Sequence, residues 1–464
     1  MPEYQDFIQA YPAYDTTHDL DELRERDYAR LDRLGQVYLD YTGGGLYGES
    51  QLRAHQKLLA RNVFGNPHST NPTSIVATRL IESTRRAVLD FFNASADEYV
   101  VIFTLNASGA LKLVGESYPF GPGCRYLLTF DNHNSVNGIR EFAHARGAEV
   151  TYLPVALPDM RVDEATLEQE LGRAKAGCAN LFAYPAQSNF SSVQHPLEWI
   201  EKAHAQGWDV LVDAAAFAPT NRLNLGKFKP DFVPLSFYKM FGYPTGTGAL
   251  LARREALRKL HRPWFAGGTI TVASVQGDKY YLADGPAAFE DGTLDYLNIP
   301  AVEIGLKQLE KAGIETIHAR VHCLTGWLLD NLTQIQHDTG VPLVRVYGPT
   351  RVDRRGGSVT VNFFDRQGQP IDHRFIEERA NEHNISLRTG CFCNPGAGEI
   401  ALGISKMELA ACFTSPGHTQ RLSYDDFRLC IDGKASGAVR ISTGMVSNFE
   451  DVQKFLTFTE GLVV

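Results

Sequence analysis

Lys239, Asp213, His133 and the Cys391-Phe-Cys393 pair are the side chains of this 464-residue sequence best suited to covalent or proton-transfer chemistry. Lys239 is flanked by Phe237, Tyr238, Met240 and Phe241. An apolar setting disfavours the ammonium form and lowers the lysine pKa, leaving a usable amine. That is the chemistry of a Schiff-base lysine. The plainer reading is a lysine that snorkels from a strand end. Asp213 closes the run Asp209-Val-Leu-Val-Asp213 and precedes Ala214-Ala-Ala216. A buried carboxylate needs a cationic partner, and a protonated pyridine nitrogen of a cofactor is one such partner. The alternative for Asp213 is a helix N-cap.

Arg388-Thr-Gly-Cys-Phe-Cys-Asn-Pro-Gly396 combines an arginine, which can grip a carboxylate bidentately, with cysteines in a Gly/Pro loop. A thiol in such a loop can be exposed and reactive. Cys-x-Cys can also bind metal, but no second Cys or His pair follows at zinc spacing, so no metal site is expected. Arg440, in Val439-Arg-Ile-Ser-Thr-Gly444, is a second anion clamp or a surface charge. Asn106-Ala-Ser-Gly109 opens a helix after a strand, where backbone N–H groups could hold a phosphate. Many helices begin this way. Ser236 would add a donor. His133 lies in a loop, where its imidazole either stacks on a flat ring or sits at the surface. Gly43 to Gly45 favour a tight turn over close approach to a ligand.

These residues need a scaffold that brings strand ends together. Short apolar runs at 100–103, 125–130, 149–154, 179–184, 209–212, 232–235 and 248–251 alternate with helical patterns. This predicts an α/β fold with a mostly parallel sheet covered on both faces. Ligands bind such sheets at the carboxyl ends of strands. His133, Asn189, Asp213 and Lys239 all fall at or just past strand ends. Helices are expected at 20–34, 49–62 and 74–92. From about residue 298 the texture changes to helices at 301–312 and 314–337. Strands follow near 343–346 and 358–363, a helix at 371–382, an extended run at 385–388, and helices at 406–413 and 450–459. The expected division is an N-terminal segment (1–35) packing on a small domain, a large domain (36–297), and a smaller α+β domain (298–464).

A net charge of −9 without a basic tract argues against nucleic acid as a partner. No run approaches the roughly 18 apolar residues of a membrane span, and the start lacks a leader pattern, so a cytoplasmic protein is expected. Seven cysteines at 124, 178, 323, 391, 393, 412 and 430 do not form a disulfide framework.

Several segments together carry a family resemblance. They are Phe64-Gly-Asn-Pro-His-Ser69, Asn132-His133, Tyr184-Pro-Ala-Gln-Ser-Asn-Phe190, Asp213-Ala-Ala-Ala-Phe217, Ser236-Phe-Tyr-Lys-Met-Phe-Gly-Tyr-Pro-Thr-Gly246, Arg388 to Gly396 and Gly437-Ala-Val-Arg-Ile-Ser442. The chain resembles class V aminotransferases, fold-type I pyridoxal-phosphate enzymes. Within them it is most similar to the aminotransferase-like cysteine desulfurase domain of molybdenum cofactor sulfurases. The resemblance implies a seven-stranded-type sheet and pyridoxal 5'-phosphate as cofactor. It implies that Lys239 binds the cofactor covalently, Asp213 pairs with the pyridinium, His133 stacks on the ring and Asn189 lies near the ring hydroxyl. Ala107, Ser108, Ser236 and Tyr238 match phosphate contacts. Thr293 matches a phosphate contact given by a second subunit, which implies a homodimer. Arg388 and Arg440 match the arginines for the substrate carboxylate, and Cys393 the persulfide-forming cysteine. Two positions depart from the usual desulfurase pattern: Tyr238 replaces a histidine and Ala216 a glutamine, both as in the sulfurase variant. Full eukaryotic-type sulfurases carry a further C-terminal domain, and this chain stops at Val464, where the first domain is expected to end.

The function expected is a cysteine desulfurase that takes sulfur from L-cysteine to a Cys393 persulfide, releases alanine and passes the sulfur to an acceptor, which could be a protein. The alternatives are a C–S lyase, aminotransferase or epimerase with the same cofactor, and a non-catalytic sulfur-relay or scaffold protein.

Overall fold

The computed structural model describes residues 2–414, 422, 426–427 and 437–463. Its larger sheet has seven strands. Their order is Tyr99–Thr104, Gly248–Arg253, Phe232–Ser236, Trp208–Asp213, Asn180–Pro185, Arg125–Thr129, Glu149–Leu153. Gly248–Arg253 is antiparallel to both neighbours, and the other pairs are parallel. Asn180–Pro185 and Trp208–Asp213 are buried at every position. Burial on both faces is why they read as continuous apolar runs rather than alternating ones. The alternation is still visible in packing: Val101 and Phe103 join one buried cluster, Val100 and Ile102 another.

A four-stranded antiparallel sheet follows, in the order Val344–Tyr347, Ser358–Phe363, Ala438–Ser442, Arg388–Gly390. Val359, Val361 and Ile441 pack there with Leu324, Leu328 and Phe455. The first residues join both cores. Phe7, Tyr14, Val37 and Leu39 enter the cluster of the smaller sheet, whereas Leu20, Leu23, Tyr28 and Leu31 enter a cluster of the larger one.

Four local differences from expectation have physical causes. The helix expected at 20–34 is two helices, Asp19–Asp27 and Arg30–Arg33. Tyr28 leaves the helical conformation between them, burying its ring and accepting a hydrogen bond from Gln308 Nε2 at 3.0 Å. The run 385–388 is split between two sheets: Ile385–Ser386 pairs with Val37–Tyr38, and Arg388 begins a strand of the other sheet. Ala438–Ser442 is an unexpected strand: it is buried throughout, but Arg440 and Ser442 interrupt the apolar run that would mark it. The hairpin of Ile270–Ser274 and Lys279–Leu282 is also new; Val272 and Tyr281 are exposed, so no buried face marks it in the sequence. Cys412 is disulfide-bonded, and Cys430 lies outside the described residues. Among the described residues no helix is long and apolar enough to cross a membrane.

Lys239 sits on a short helix, Phe237–Phe241, directly after the strand Phe232–Ser236. Gly242, at φ 78°, ends that helix. A Cβ there would lie 2.3 Å from Tyr47 N, so only glycine lets the N-terminal loop pass this closely. Phe237 and Phe241 are fully buried, and the helix Ile299–Ala312 covers the second ring. A Cβ on Gly305 would lie 2.1 Å from the Phe241 ring. Gly305→Ala should therefore destabilise the protein by about 1–3 kcal/mol through overpacking, despite alanine's better helix propensity. The urea midpoint measures this, and an unchanged or higher midpoint would contradict the packing.

Candidate active site

The carboxyl ends of the central strands enclose a cavity of about 210 Å³. Ala107, Ser108, His133, Asn189, Asp213, Ser236, Tyr238 and Lys239 all line it, beside Ser135, Gln187, Ala215 and Ala216. Each arrives there from a strand end. Asp213 is the last residue of its strand, Ser236 the last of the next, and Lys239 follows within one turn.

Burial lowers the Lys239 pKa, and the negative charge of Asp213 only partly offsets it. Among the described residues the amine makes no hydrogen bond or ion pair. Lys239 is half-buried and lines the cavity. Asp213 is 8% exposed; its Oδ1 accepts a hydrogen bond from Ala215 N at 2.9 Å. No helix follows it, so the N-cap alternative reduces to this local turn, and Oδ2 is left for another donor. His133 is half-buried and caps the short helix Asn134–Asn137, its Nδ1 accepting from Ser135 N at 3.1 Å. Burial lowers its pKa, against the pull of Asp213, so the ring is a neutral plate with its proton on Nε2.

The helix Ala107–Ser117 points its N-terminus into the cavity. Asn106 Oδ1 caps it by accepting from Gly109 N at 2.9 Å. Ala107 N donates to Ser236 Oγ at 3.1 Å, and the hydroxyls of Ser108 and Ser135 share a hydrogen bond of 2.6 Å. A positive helix end with three hydroxyls suits an anion. An amine, a free carboxylate oxygen, a flat neutral imidazole and an anion cradle thus share one cavity. That donor set fits a planar aldehyde that carries a phosphate and a ring nitrogen.

The remaining predicted residues lie outside the lining. Thr293 lines a neighbouring cavity and accepts a hydrogen bond from Asn66 Nδ2 at 3.3 Å. Arg440 is 3% exposed; burial pushes its pKa down to about 10, while Asp40 works to raise it. Arg388 is half-exposed, and its hydrogen bonds to Asp40 raise its pKa. Both guanidiniums meet the one Asp40 carboxylate, a residue the sequence reading passed over. Its only signal was an Asp just before the Gly43 turn, which many turns share.

Asn189 is also engaged differently from a free ring-facing amide. Its Nδ2 donates to Phe392 O at 2.7 Å, and its Oδ1 accepts from Asn394 Nδ2 at 2.9 Å. Asn189 therefore ties the cavity wall to the cysteine loop. Phe392 and Cys393 both have left-handed backbones, φ 55° and 54°, which cost roughly 1–2 kcal/mol each for non-glycine residues. Offsetting contacts hold them there. Asn134 N donates to Cys393 O at 2.7 Å, the Phe392 ring lies 5.4 Å from that of Phe190, and Arg440 sits 4.7 Å over Phe392. Both Cys391 and Cys393 are exposed free thiols. Cys393 is near enough to Lys239 for a thiolate there to raise the lysine pKa.

The aminotransferase class-V family model matches residues 37–455. The chain is 36% identical to molybdenum cofactor sulfurase of Solanum lycopersicum, over 99% of this chain and 59% of that protein. It is 38% identical to molybdenum cofactor sulfurase of Homo sapiens, over 95% of this chain and 51% of that protein. The chain thus spans between half and three-fifths of the length of these relatives. Among solved structures, an apo cysteine desulfurase from Thermococcus onnurineus NA1 superposes with a TM-score of 0.77 at 24% identity, over 95% of this chain and 97% of that one. A cystine C-S lyase in complex with cysteine persulfide superposes with a TM-score of 0.69 at 18% identity, over 92% of this chain and 98% of that one. By the extent of its family match and its identity to these relatives, the chain belongs to the class V aminotransferase family, with an α/β fold built on a mostly parallel sheet.

Proposed function

We propose that the protein is a pyridoxal-phosphate-dependent cysteine desulfurase, similar to the first part of molybdenum cofactor sulfurases. The observation that carries this reading is the unpaired Lys239 amine sharing one cavity with Asp213, with the exposed Cys393 thiol near enough to influence it. Lys239 would hold the cofactor, with Asp213 at the ring nitrogen, His133 on the ring face and Asn189 toward the ring hydroxyl. Ala107, Ser108, Ser236 and Tyr238 would surround its phosphate. Thr293, which lines a neighbouring cavity, would contact the phosphate of a second copy in a homodimer. The division of the chain near residues 35 and 297 belongs to the same reading.

Pyridoxal phosphate supplies an electron sink for the substrate carbon when bound. Arg388 and Arg440 orient L-cysteine by its carboxylate. The Lys239 amine takes the Cα proton, a task that needs a lysine pKa below its ordinary value. The Cys393 thiolate then forms a bond to the substrate sulfur. The substrate C–S bond breaks, its electron pair stays on carbon, and protonation there gives alanine. A separate acceptor, a small molecule or a partner protein, takes the sulfur from Cys393.

Two measurements test this. After incubation with L-cysteine and pyridoxal phosphate, mass spectrometry should show one added sulfur on Cys393, and Lys239→Ala should abolish it. If Cys393→Ala still consumes L-cysteine at the wild-type rate, a lyase, aminotransferase or epimerase is the better reading. If neither thiol nor substrate changes, a sulfur-relay or scaffold role is favoured. The second measurement concerns the amine. Burial lowers its pKa and Asp213 raises it, so Asp213→Asn must lower it further. The pH dependence of reductive methylation in cofactor-free protein should place Lys239 below the surface lysines, and lower still in Asp213→Asn. An upward shift in that variant would refute the electrostatic assignment.

A further inference from the structure

Asp40 is 7% exposed and lies between two guanidiniums. Its Oδ2 accepts from Arg388 Nε at 3.0 Å and Nη2 at 2.5 Å, and its Oδ1 accepts from Arg440 Nη2 at 3.3 Å. The arrangement is built, since a Cβ on Gly43 would lie 2.5 Å from Asp40 Oδ1 and 2.7 Å from Arg388 Nη2. Arg440 Nη1 donates to Asn189 O at 2.9 Å, but among the described residues its buried Nε has no hydrogen-bond partner. A buried guanidinium with an open donor calls for one more acceptor.

Among the described residues the charges at this position do not cancel. Two arginines face one carboxylate, leaving one positive charge. Glu377 acts on Arg388 more weakly than Asp40 does and is already bonded to Thr389 Oγ1 at 2.7 Å. Deeper in, Asp213 faces the Lys239 amine across the cavity, and burial lowers the His133 pKa. One added carboxylate completes a balanced set of two guanidiniums and two carboxylates. A second added carboxylate would meet Asp40, already in the place it would need.

We propose that Asp40 is a specificity-determining residue: it fills the second position of a two-arginine clamp, so the site accepts amino acids with one carboxylate and excludes acidic ones. This rests on the reading of Arg388 and Arg440 as the carboxylate clamp. Asp40 touches both arginines and selects through them, since like charges placed together disfavour the wrong ligand.

The test uses the full chain loaded with pyridoxal phosphate and titrated with L-alanine or L-aspartate, following the visible absorbance of the bound cofactor. Neither probe carries sulfur, so the readout is independent of Cys393. Wild type should prefer alanine. Asp40→Asn should cut the alanine-to-aspartate affinity ratio about tenfold or more by tightening aspartate, the removal of one like-charge contact. Asp40→Glu, which keeps the charge, should restore the preference. A merely structural Asp40 would weaken both probes together, and an unchanged ratio in Asp40→Asn overturns the proposal. So does failure of the wild type to bind either probe. A separate arm isolates the clamp: if Arg440→Lys leaves alanine affinity unchanged, the clamp reading is wrong and Asp40 falls with it. Loss of alanine binding in Arg440→Lys together with an unchanged ratio in Asp40→Asn would defeat the Asp40 proposal alone.

Discussion

The site depends on a half-buried lysine amine that, among the described residues, has no hydrogen-bond or ion-pair partner. A direct ion pair would raise the Lys239 pKa back toward its ordinary value, and full exposure would do the same. Asp213 avoids both outcomes by acting on the amine through space while holding Ala215 N with one oxygen. The helix that presents the lysine is only five residues long, too short to be stable by itself. Phe237 and Phe241 hold it, at about 1.5–3 kcal/mol each for full burial. The glycines at 45, 242 and 305 let neighbouring segments close around it. A Cβ on Gly45 would lie 2.9 Å from Lys239 O, so backbone meets backbone where side chains would keep them apart.

The cysteine loop is held by the same parts. Arg440 donates to Asn189 O, shares Asp40 with Arg388 and covers the Phe392 ring. Asn189 in turn holds Phe392 O. A left-handed Phe-Cys pair persists because several contacts over-determine it. Asp40 and the cysteine loop are therefore coupled through one buried cation. Displacing that cation would loosen both ends of the site.

Much of this was legible in the sequence, for identifiable reasons. Strands buried on both faces read as apolar runs, and the residues at their ends share an address, so Lys239, Asp213, His133 and Asn189 converge on one cavity as the alternation required. The order of the sheet's strands was not legible because pairing is non-local, and the Ala438–Ser442 strand was not because Arg440 and Ser442 break its apolar run. Asp40 was missed for a related reason: its partners are 348 and 400 positions away, and nothing in its neighbourhood announces them. The hand-over of Asn189 to the cysteine loop was equally hidden, since it spans 203 positions. The Ile270–Ser274 hairpin exposes apolar side chains, which reverses the signal that pattern reading relies on.

The span from Asp40 to Arg440 also bears on how the chain is made. Lys239, with its helix and most of the central sheet, leaves a ribosome some 200 residues before Arg440 does. At ordinary synthesis rates that gap lasts roughly 10–40 s. During it the nascent chain would carry Lys239 without the arginine that joins Asp40 to Asn189. A product cut short before residue 440 would leave Asp40 with Arg388 alone.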